Sequence, residues 1–391
     1  MDRTRVLISG GGIAGLTCAI ELKRNGFTPI VIEKEHGPRA EGYMMDFFGT
    51  GWDVAERMGL TEALRKVRYP IDWLAFVDAT GTPYCRAPIE RLRAALDNRY
   101  TYLRRPDLER ILLDEARRAK VEIRYSCAID RLDEHADGVS VKFKDGTRDH
   151  AAIVIGADGV HSRVRELVFG PQAQFARFLG LYVVAFHIAR RNFPITDTVK
   201  IYEEPNRMAM FYPLDSERMD ATYVLRHDEI DVRRTGRLAF LRGALDGAGW
   251  IMRDVAGAHP GDAPVYFDSA TQIDMPRWHR GRIALIGDAC GCLTLLAGQG
   301  SHMAMAGGYV LARELKRQPT YQDAFAAYQA VLKPHVDAKR RQSARYASLF
   351  VLQPSSWPWL RRLAIRLLFS RPLMKYGMRL FGARSVLANY R

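Results

Sequence analysis

The sequence predicts an α/β protein with a discontinuous domain built on a parallel sheet, an inserted and mainly antiparallel sheet, and a C-terminal helical segment. Three observations predict this class. The chain opens with a strand, a glycine-rich turn and a helix, residues 175–275 carry mostly strand patterns, and strand, glycine turn and helix return at 281–316. Strand–helix units assemble parallel sheets, whereas successive strands indicate an antiparallel sheet.

The first unit starts with an apolar strand and the turn GGGIAG at 10–15. Gly10 permits a tight turn, Gly12 lets the backbone approach a pyrophosphate, and Gly15 lets the following helix pack close to the strand. The helix N-terminus offers free N–H groups to phosphates, and Glu33 at the end of the next strand would hold a ribose hydroxyl. The unit is therefore Rossmann-like and predicts dinucleotide binding, a glycine-rich turn of another α/β protein being the alternative. The residues predicted to bind are Gly10, Gly12, Ile13, Ala14, Gly15, Glu33 and Lys34.

Composition bounds the remaining possibilities. The chain has 391 residues, of which 48% are hydrophobic and 26% charged, enough to bury one large core or two moderate ones. No run of eighteen apolar residues occurs, so no bilayer-spanning helix is predicted and the cytoplasm is the expected location. The five cysteines are odd in number and scattered, which argues against a disulfide framework, and no Cys or His pair completes a metal site.

The charge is concentrated at one end of the chain. Residues 333–391, the basic tail, hold thirteen Lys and Arg against one acid, so +12 of the formal net charge of +14 belongs to them. Nucleic-acid binding would need a basic face with groove-reading or base-stacking elements on the body, and the body shows none. No nucleic-acid partner is therefore expected.

Helices and strands alternate in the first part of the chain, with a helix predicted at about 51–66. Residues 73–86 then switch to two strands around a Thr-Gly turn, which predicts a hairpin inserted between helical units. An apolar stripe predicts a helix over 106–120, with Pro106 at its first position. Three strands follow, at 121–125, 139–144 and 151–155.

The strand-rich region that follows contains one helical pattern, at 231–245. Because the strand–helix pattern returns afterwards, the antiparallel sheet is predicted to be inserted into the dinucleotide domain. The predicted dinucleotide domain comprises residues 1–72, 97–174 and 276–330, the predicted substrate domain comprises 73–96 and 175–275, and the basic helical segment is 331–391.

Two further motifs follow buried strands. One strand ends in Asp158-Gly159 with basic residues behind it, and another ends in Gly287-Asp288. After the second, Gly298-Gln299-Gly300 opens a helix. Singly, an Asp-Gly after a strand is most often a plain turn. Together with GGGIAG, these motifs predict three strand ends that converge on one crevice at the carboxyl edge of a sheet, where open α/β sheets place ligands.

In this order and spacing the three motifs resemble the flavin hydroxylase family typified by p-hydroxybenzoate hydroxylase, the single-component (class A) FAD-dependent aromatic monooxygenases. The resemblance covers about residues 1–330 and implies FAD as cofactor, with NADPH or NADH as a transient electron donor. It implies that the GGGIAG turn and Glu33 hold the ADP half of FAD. Residues 42–51 are similar to a segment that lies beside the flavin in tetracycline-inactivating members. The further cofactor residues it implies are Arg105, Asp158, Gly287, Asp288, Gly298 and Gly300.

The resemblance assigns roles to three of these residues. Arg105 would contact FAD, Asp288 would bind its ribityl chain, and Asp158 would serve both FAD and the passing nicotinamide cofactor. The helix that begins at 298–300 would aim its positive end at the pyrimidine side of the flavin ring.

The implied reaction is a hydroxylation carried out by the cofactor. Hydride reduces FAD, O2 adds at flavin C4a, and the hydroperoxide transfers oxygen to a bulky aromatic or polycyclic small molecule, so no catalytic side chain is assigned. Two alternatives remain at this point. One is a flavin reductase or dehydrogenase of the geranylgeranyl-reductase type, and the other is a non-enzymatic FAD-containing binding protein.

The third motif departs from the family pattern. Many members read GDAAHxxxPxxGxG, whereas this chain reads GDACGCLTLLAGQG, with Gly291 in place of His and Leu295 in place of Pro. The substrate side chains are expected on the inserted sheet, from strand alternation. The candidates are His187, Arg207, Met210, Tyr212 and Arg226.

The basic tail contains two amphipathic patterns, at 357–369 and 374–381. In one interpretation these helices pack their apolar faces on the FAD domain and leave their charges in solvent. In the other, the tail contacts an anionic partner, either a membrane surface or an acidic carrier protein.

Overall fold

A computed structural model of the chain describes residues 4–39, 42–230, 236–261, 263–294, 298–352, 357–370, 373–374 and 384–390. Its strands are β1 Arg5–Ser9, β2 Thr28–Ile32, β3 Met44–Phe48, β4 Trp73–Val77, β5 Pro83–Pro88, β6 Tyr100–Arg104, β7 Glu122–Arg124, β8 Ile129–Glu134, β9 Val139–Phe143, β10 Arg148–Ala151, β11 Ile153–Gly156, β12 Ala176–Ala189, β13 Thr198–Glu204, β14 Arg207–Pro213, β15 Arg218–Arg226, β16 Tyr266–Ile273, β17 His279–Arg280 and β18 Ile283–Leu285. Its helices are α1 Ile13–Arg24, α2 Gly49–Arg57, α3 Thr61–Lys66, α4 Ile89–Ala95, α5 Arg105–Arg118, α6 Arg163–Phe169, α7 Arg237–Ala244, α8 Met252–Gly257, α9 Asp288–Gly291, α10 Gly300–Arg317, α11 Tyr321–Phe350 and α12 Pro358–Leu368.

The first sheet has the strand order β17-β18-β11-β1-β2-β7. All of its neighbouring strands are parallel except the edge pair β17–β18. The central strands are apolar and buried, as expected where helices cover both faces of a parallel sheet. Because β1, β11 and β18 lie side by side, the three motifs that follow them meet at one edge, which confirms the predicted crevice.

The second sheet has the order β16-β12-β15-β14-β13-β4-β5. The predicted hairpin β4–β5 is present, and it joins this sheet through a parallel pairing of β4 with β13. One face of the sheet packs against α7 and α8 through residues such as Phe186, Phe211 and Tyr223. The opposite face, the inner face, carries Val183 and Met208, and the short pair β3–β6 packs over part of it.

Several predicted elements differ in the structure. The helix expected at 51–66 is two helices, α2 and α3, because Gly59 adopts a left-handed φ of +76° between them. Helix α7 begins at Arg237, and residues 231–235 of the predicted helix lie outside the described residues. Pro106 is the second residue of α5 rather than the first. Elements that were not predicted include strands β3, β6, β8 and β10 and helices α4, α6 and α8.

The C-terminal segment differs more. Helix α11 runs without interruption through residue 331, so the structure has no break at that predicted boundary, and the other boundaries stay predictions. Helix α12 matches the pattern at 357–369, whereas the pattern at 374–381 lies outside the described residues beyond Met374. Helix α12 contacts the hairpin strand β5, and Arg361, Ile365 and Leu368 are its partly buried side chains. Its largest apolar side chains, among them Trp359, Leu363 and Leu367, are exposed. The interpretation with apolar faces packed on the FAD domain is therefore wrong for this helix. None of the described helices is long and apolar enough to cross a membrane.

Candidate active site

The glycine turn leaves space on one side only. Gly10 has a φ of +110°, and a side chain there would collide with the carbonyl of Ala157 in the second motif. A side chain at Gly15 would collide with the carbonyl oxygen of Gly10. At Gly12, by contrast, the nearest atom to an added Cβ is 3.9 Å away, on Glu109. Gly12 is therefore not required by packing within the protein, and the space beside it is available to a ligand.

A cavity of about 290 Å³ opens beside this turn. Its wall includes Glu33, whose carboxylate accepts a hydrogen bond from the Gly11 N–H at 2.8 Å. The N-terminus of α1 faces it with N–H groups that have no partner within a helix. Predicted residues that the structure brings together here are Gly10, Gly12, Glu33, Lys34, Arg105 and Asp158. Cationic residues of the cavity wall that were not among the predicted cofactor residues are Arg39, Lys144 and Arg163.

This cavity fits the ADP half of FAD. The open space at Gly12 is the cradle that a side chain would fill, and the N–H groups and cations around it suit a pyrophosphate. The fit therefore rests on the shape and charge of the described residues.

Asp158 lines the cavity, and its carboxylate accepts hydrogen bonds from later residues of the second motif. Its oxygens accept hydrogen bonds from the Ser162 hydroxyl at 2.5 Å and from the N–H groups of Arg163 at 2.8 Å and Val164 at 3.1 Å. Burial raises the pKa of Asp158, and these hydrogen bonds oppose that rise. The role of Asp158 toward FAD and nicotinamide stays a prediction.

Arg165 joins the second motif to the third and was not among the predicted site residues. Its side chain is fully buried and donates to the carbonyls of Val160 at 2.7 Å and Ala289 at 2.9 Å and to the Gln172 amide oxygen at 3.1 Å. Burial lowers the pKa of this guanidinium. The basic residues after Asp158-Gly159 were the available signal.

The third motif packs directly on the first helix. Gly287 has a φ of +61°, and a Cβ there would lie 2.9 Å from that of Ala14. Asp288 then begins α9, and its Oδ1 lies 3.8 Å from the position of a Cβ on Gly300, where α10 begins. Asp288 therefore lies beside the N-terminus of α10, and Gly298 adopts a φ of +60° just before that helix. The role of Asp288 at the ribityl chain stays a prediction.

Arg105 lies between the cavity and Asp288. It lines the cavity and forms a 3.1 Å ion pair with Glu109. Burial works to lower the pKa of Arg105, but Glu109, Tyr43, Tyr266 and Asp288 together raise it. Burial in turn raises the pKa of Asp288, while Arg105 lowers it. The guanidinium thus connects the two parts of the predicted FAD site electrostatically.

The segment 42–51 packs against the N-terminal turn of α10 through His302. Its ring is 2% exposed and contacts the rings of Phe47 and Phe48 edge-on, each with a centroid distance of 5.2 Å. Gly51 is needed here because a Cβ would lie 2.5 Å from the imidazole. Burial lowers the pKa of His302 to about 3, so the ring is neutral at physiological pH.

Lys339 of α11 reaches the G-Q-G turn from the other side. Its ammonium donates a hydrogen bond to the side-chain oxygen of Gln299. Burial lowers the pKa of Lys339 to about 8. Neither Lys339 nor His302 was predicted. Lys339 comes from α11, which is distant from the turn in the chain, and His302 lies in α10 but owes its burial to the distant Phe47 and Phe48.

The departure at Gly291 has a packing explanation. A Cβ on Gly291 would lie 2.7 Å from Cγ1 of Val336 in α11. The space that a His side chain needs is therefore occupied by Val336. The neighbouring Cys290 and Cys292 are buried, and burial raises the pKa of the Cys290 thiol to about 12, which fits their interpretation as small buried residues. Leu295 lies outside the described residues.

The structure separates the five substrate candidates. Met210 and Tyr212 lie on the inner face, where the Tyr212 hydroxyl donates to the Met210 sulfur at 3.3 Å. His187 Nε2 lies 3.1 Å from Asp220 Oδ2, and Asp220 pairs across the sheet with both His187 and Tyr212. Arg226, which shares the face of Val224, donates to the Val351 carbonyl at 3.5 Å.

The expectation for Arg207 is wrong. Its guanidinium lies 3.2 Å from Glu204 and donates to the carbonyl of Asp246 at 2.7 Å, beyond the end of α7. Side chains alternate along a strand, and Arg207 has the parity of Ala209 and Phe211, which face the helices. Arg207 therefore points away from the inner face.

A polar cluster on the inner side was not predicted. The Tyr100 hydroxyl donates to the carboxylate of Asp46, and the Tyr102 ring contacts both Tyr100 and Tyr212, at centroid distances of 5.4 and 6.0 Å. Burial raises the pKa of Asp46, against the hydrogen bond from Tyr100. This cluster and Met210 form a partly polar, aromatic layer between β3–β6 and the second sheet. Among the described residues, no group of His, Cys, Asp and Glu is arranged to hold a metal ion.

Comparisons with known proteins agree with this geometry. The family model described as "FAD binding domain" matches residues 3–336. A flavin-dependent monooxygenase from an unknown prokaryotic organism is 32% identical over 355 residues, which cover 89% of this chain and 90% of that protein. The crystal structure of the tetracycline destructase Tet(55) has a TM-score of 0.82 and 29% identity, and the match covers 98% of both chains.

The fold is shared more widely. HpxO from Klebsiella pneumoniae, solved with FAD and uric acid, has a TM-score of 0.81 at 21% identity, covering 98% of both chains. The proteins in these comparisons do not support the reductase alternative or the non-enzymatic one. The chain belongs to the FAD binding domain family, and it is a class A, FAD-dependent monooxygenase.

Proposed function

We propose that this enzyme hydroxylates a bulky aromatic or polycyclic small molecule with O2, and that NADPH or NADH is its transient electron donor. The observation that carries the proposal is the open space at Gly12. It faces a cavity lined by the first and second motifs, and Arg105 lies between that cavity and Asp288 of the third motif. Bound FAD would accept hydride from the nicotinamide and activate O2.

The residues of the chain hold this cofactor and exclude water. Gly12 and the N-terminus of α1 would hold the pyrophosphate, with Glu33 at the adenosine ribose and Arg105 and Asp288 near the ribityl chain. The N-terminus of α10, begun by Gly300, would favour negative charge at the pyrimidine end of the ring by up to about 2 kcal/mol when partly buried.

The side chains of the segment behind that turn are buried. Phe47, Phe48 and neutral His302 pack at the N-terminal end of α10 without a charged group of their own. Exclusion of water protects an activated oxygen species from hydrolysis and from stray protons. This packing supports an oxygenase more than an electron-transfer protein.

The inner face of the second sheet would bind the substrate. Met210 and Tyr212 offer apolar and aromatic surface, and the Asp46–Tyr100 pair offers a hydrogen-bonding end. For a phenolic substrate only modest proton removal is needed. One solved relative is by name a tetracycline destructase, which favours a polycyclic substrate over a single small ring.

NADPH or NADH, the electron donor, would bind only transiently. The sequence contains one GxGxxG motif, so no second dinucleotide domain of that kind is available for stable nicotinamide binding. Asp158 and the cationic cavity wall near it are the proposed passing site. A cytoplasmic location stays a prediction that the five free cysteines favour.

The test is a screen of aromatic and polycyclic compounds for stimulated NADPH and NADH oxidation, followed by mass spectrometry of products formed under isotopically labelled O2. We expect one labelled oxygen atom in the product. Substrate-dependent NADPH oxidation that gives a reduced product without label would contradict the proposal and favour the reductase alternative.

A further inference from the structure

Helix α12 is attached to the protein through its charged side. The Arg361 guanidinium forms two hydrogen bonds with the Glu203 carboxylate, at 2.8 and 2.7 Å, and the Glu203 side chain is 4% exposed. Arg362 lies over the Tyr84 ring at 5.0 Å, and Arg366 donates to the Tyr84 carbonyl at 2.9 Å. The helix is therefore held on strands β5 and β13 of the second sheet by its arginines.

This attachment leaves the apolar side of the helix in solvent. Trp359 is 61% exposed and Leu367 is 51% exposed, one near each end of the helix. Within the described residues, all six exposed large hydrophobic side chains lie between Trp357 and Leu373. Soluble monomers rarely display such a contiguous apolar patch without a binding role. We call this patch the outward face, and it consists of Trp357, Trp359, Leu360, Leu363 and Leu367.

The chemistry of the outward face indicates what covers it. Two tryptophans stack at one end of the helix with their ring centroids 6.1 Å apart, and tryptophan favours the boundary between lipid and water. The helix has three arginines and no acid, and it lies within the basic tail. Arg362 and Arg366 stay exposed although each also contacts Tyr84, so their charges remain available to an anionic surface. Apolar and cationic groups on one amphipathic helix suit a membrane surface that contains anionic lipid.

We propose that α12 docks the enzyme on anionic lipid membranes, with the outward face in the interface plane. Its 11 residues span about 17 Å, too short to cross a hydrocarbon core of about 30 Å, so the helix would lie along the surface. The docking is independent of the reaction, because it uses no residue of the FAD site or the inner face.

The test is flotation of the full-length holoenzyme with vesicles of phosphatidylcholine, with and without phosphatidylglycerol, at low and high salt. We expect the wild type to float with the anionic vesicles, and less so at high salt because salt screens exposed charges. The Leu363→Ser/Leu367→Ser variant should partition roughly tenfold or more weakly, since two large apolar side chains no longer enter the interface.

The matched control is Glu62→Ser/Lys66→Ser, which places two serines on another exposed helix and leaves the net charge unchanged. It should float like the wild type. Flavin absorbance and the melting temperature establish that each variant is folded and loaded.

Failure of the wild type to float with anionic vesicles at low salt overturns the proposal. So does equal flotation of the wild type and the leucine variant. A mass in solution that falls from dimer to monomer in the leucine variant would show instead that the outward face binds a second copy. None of these outcomes bears on whether the enzyme hydroxylates a substrate.

Discussion

The FAD crevice and the inner face of the second sheet are built in different ways. The shape of the crevice is set by backbone atoms. A Cβ at Gly10 would collide with a carbonyl, one at Gly287 would contact α1, and one at Gly12 would fill the space proposed for the cofactor. The inner face is made of side chains, Met210, Tyr212 and the Asp46–Tyr100 pair, that meet across two sheets. The crevice should therefore be intolerant of any added atom, whereas the inner face should accept exchanges that change which molecule binds.

The largest effect is expected at Gly12. In Gly12→Val the branched side chain would occupy the open space beside the turn, so FAD affinity should fall by roughly 100-fold or more, about 3 kcal/mol. The purified protein should be folded and colourless. Gly243→Val is the control, because Gly243 also has no atom near an added Cβ but lies in α7, away from the crevice. A Gly12→Val protein with full flavin absorbance would show that the pyrophosphate lies elsewhere.

A second effect sharpens the same comparison at Gly291. In Gly291→His the new side chain would meet Val336, and overpacking should lower the free energy of unfolding by roughly 1–3 kcal/mol. The double variant Gly291→His/Val336→Ala should recover part of this loss, because the alanine frees the space. Denaturant unfolding of the four proteins measures the coupling. Additive losses would mean that Val336 does not fill the position of the missing imidazole.

A pH effect is expected from His302. Its pKa is about 3 in the folded protein and about 6.5 when unfolded, so between these values only the unfolded chain takes up a proton. Stability should therefore fall as the pH falls below about 6.5, by up to about 1.4 kcal/mol per pH unit from this group. The His302→Gln variant should lose less stability over the same range in thermal or denaturant melts. Parallel curves for the two proteins would show that the ring is protonated in the folded state.

The smallest effect is expected on the inner face. Tyr212→Phe removes a hydroxyl that donates only to a thioether, so the free energy of unfolding should change by about 1 kcal/mol or less. The KM for a phenolic or polycyclic substrate should rise while FAD binding is kept. Tyr223→Phe is the matched control, since its hydroxyl donates to the Met252 carbonyl on the opposite face of the same sheet. An equal shift of KM in Tyr223→Phe would show that the Tyr212 hydroxyl does not contact the substrate on the inner face.

The two regions also differ in how far the sequence predicts them. Gly10 and Gly287 have left-handed backbone, and such a requirement is local, so spacing along the chain identifies it. The crevice could be predicted for the same reason, because adjacent parallel strands end at one edge.

The inner face depends on register, which the sequence sets through turns. Asn206, with a φ of +67°, forms the turn before β14 and sets which residues of that strand face the helices. Arg207 has the opposite parity to Met210 and Tyr212, so it cannot share their face, and strict alternation along the strand separates it from them. The contacts of Val336 with Gly291 and of Lys339 with Gln299 join positions at least forty residues apart. No pattern in a single sequence specifies such pairs.

Helix α11 gives the molecule a mechanical property. Its 30 residues, with Pro334 near the middle, form a helix about 45 Å long. Near its middle, Val336 and Lys339 brace the turn that opens α10. Just past its end, the Leu352 carbonyl accepts a hydrogen bond at 2.8 Å from the N–H of Asn206, in the turn between β13 and β14. We therefore expect α11 to transmit a displacement of the turn before α10 to the strand that carries Met210. The FAD crevice and the second sheet should then move together rather than independently.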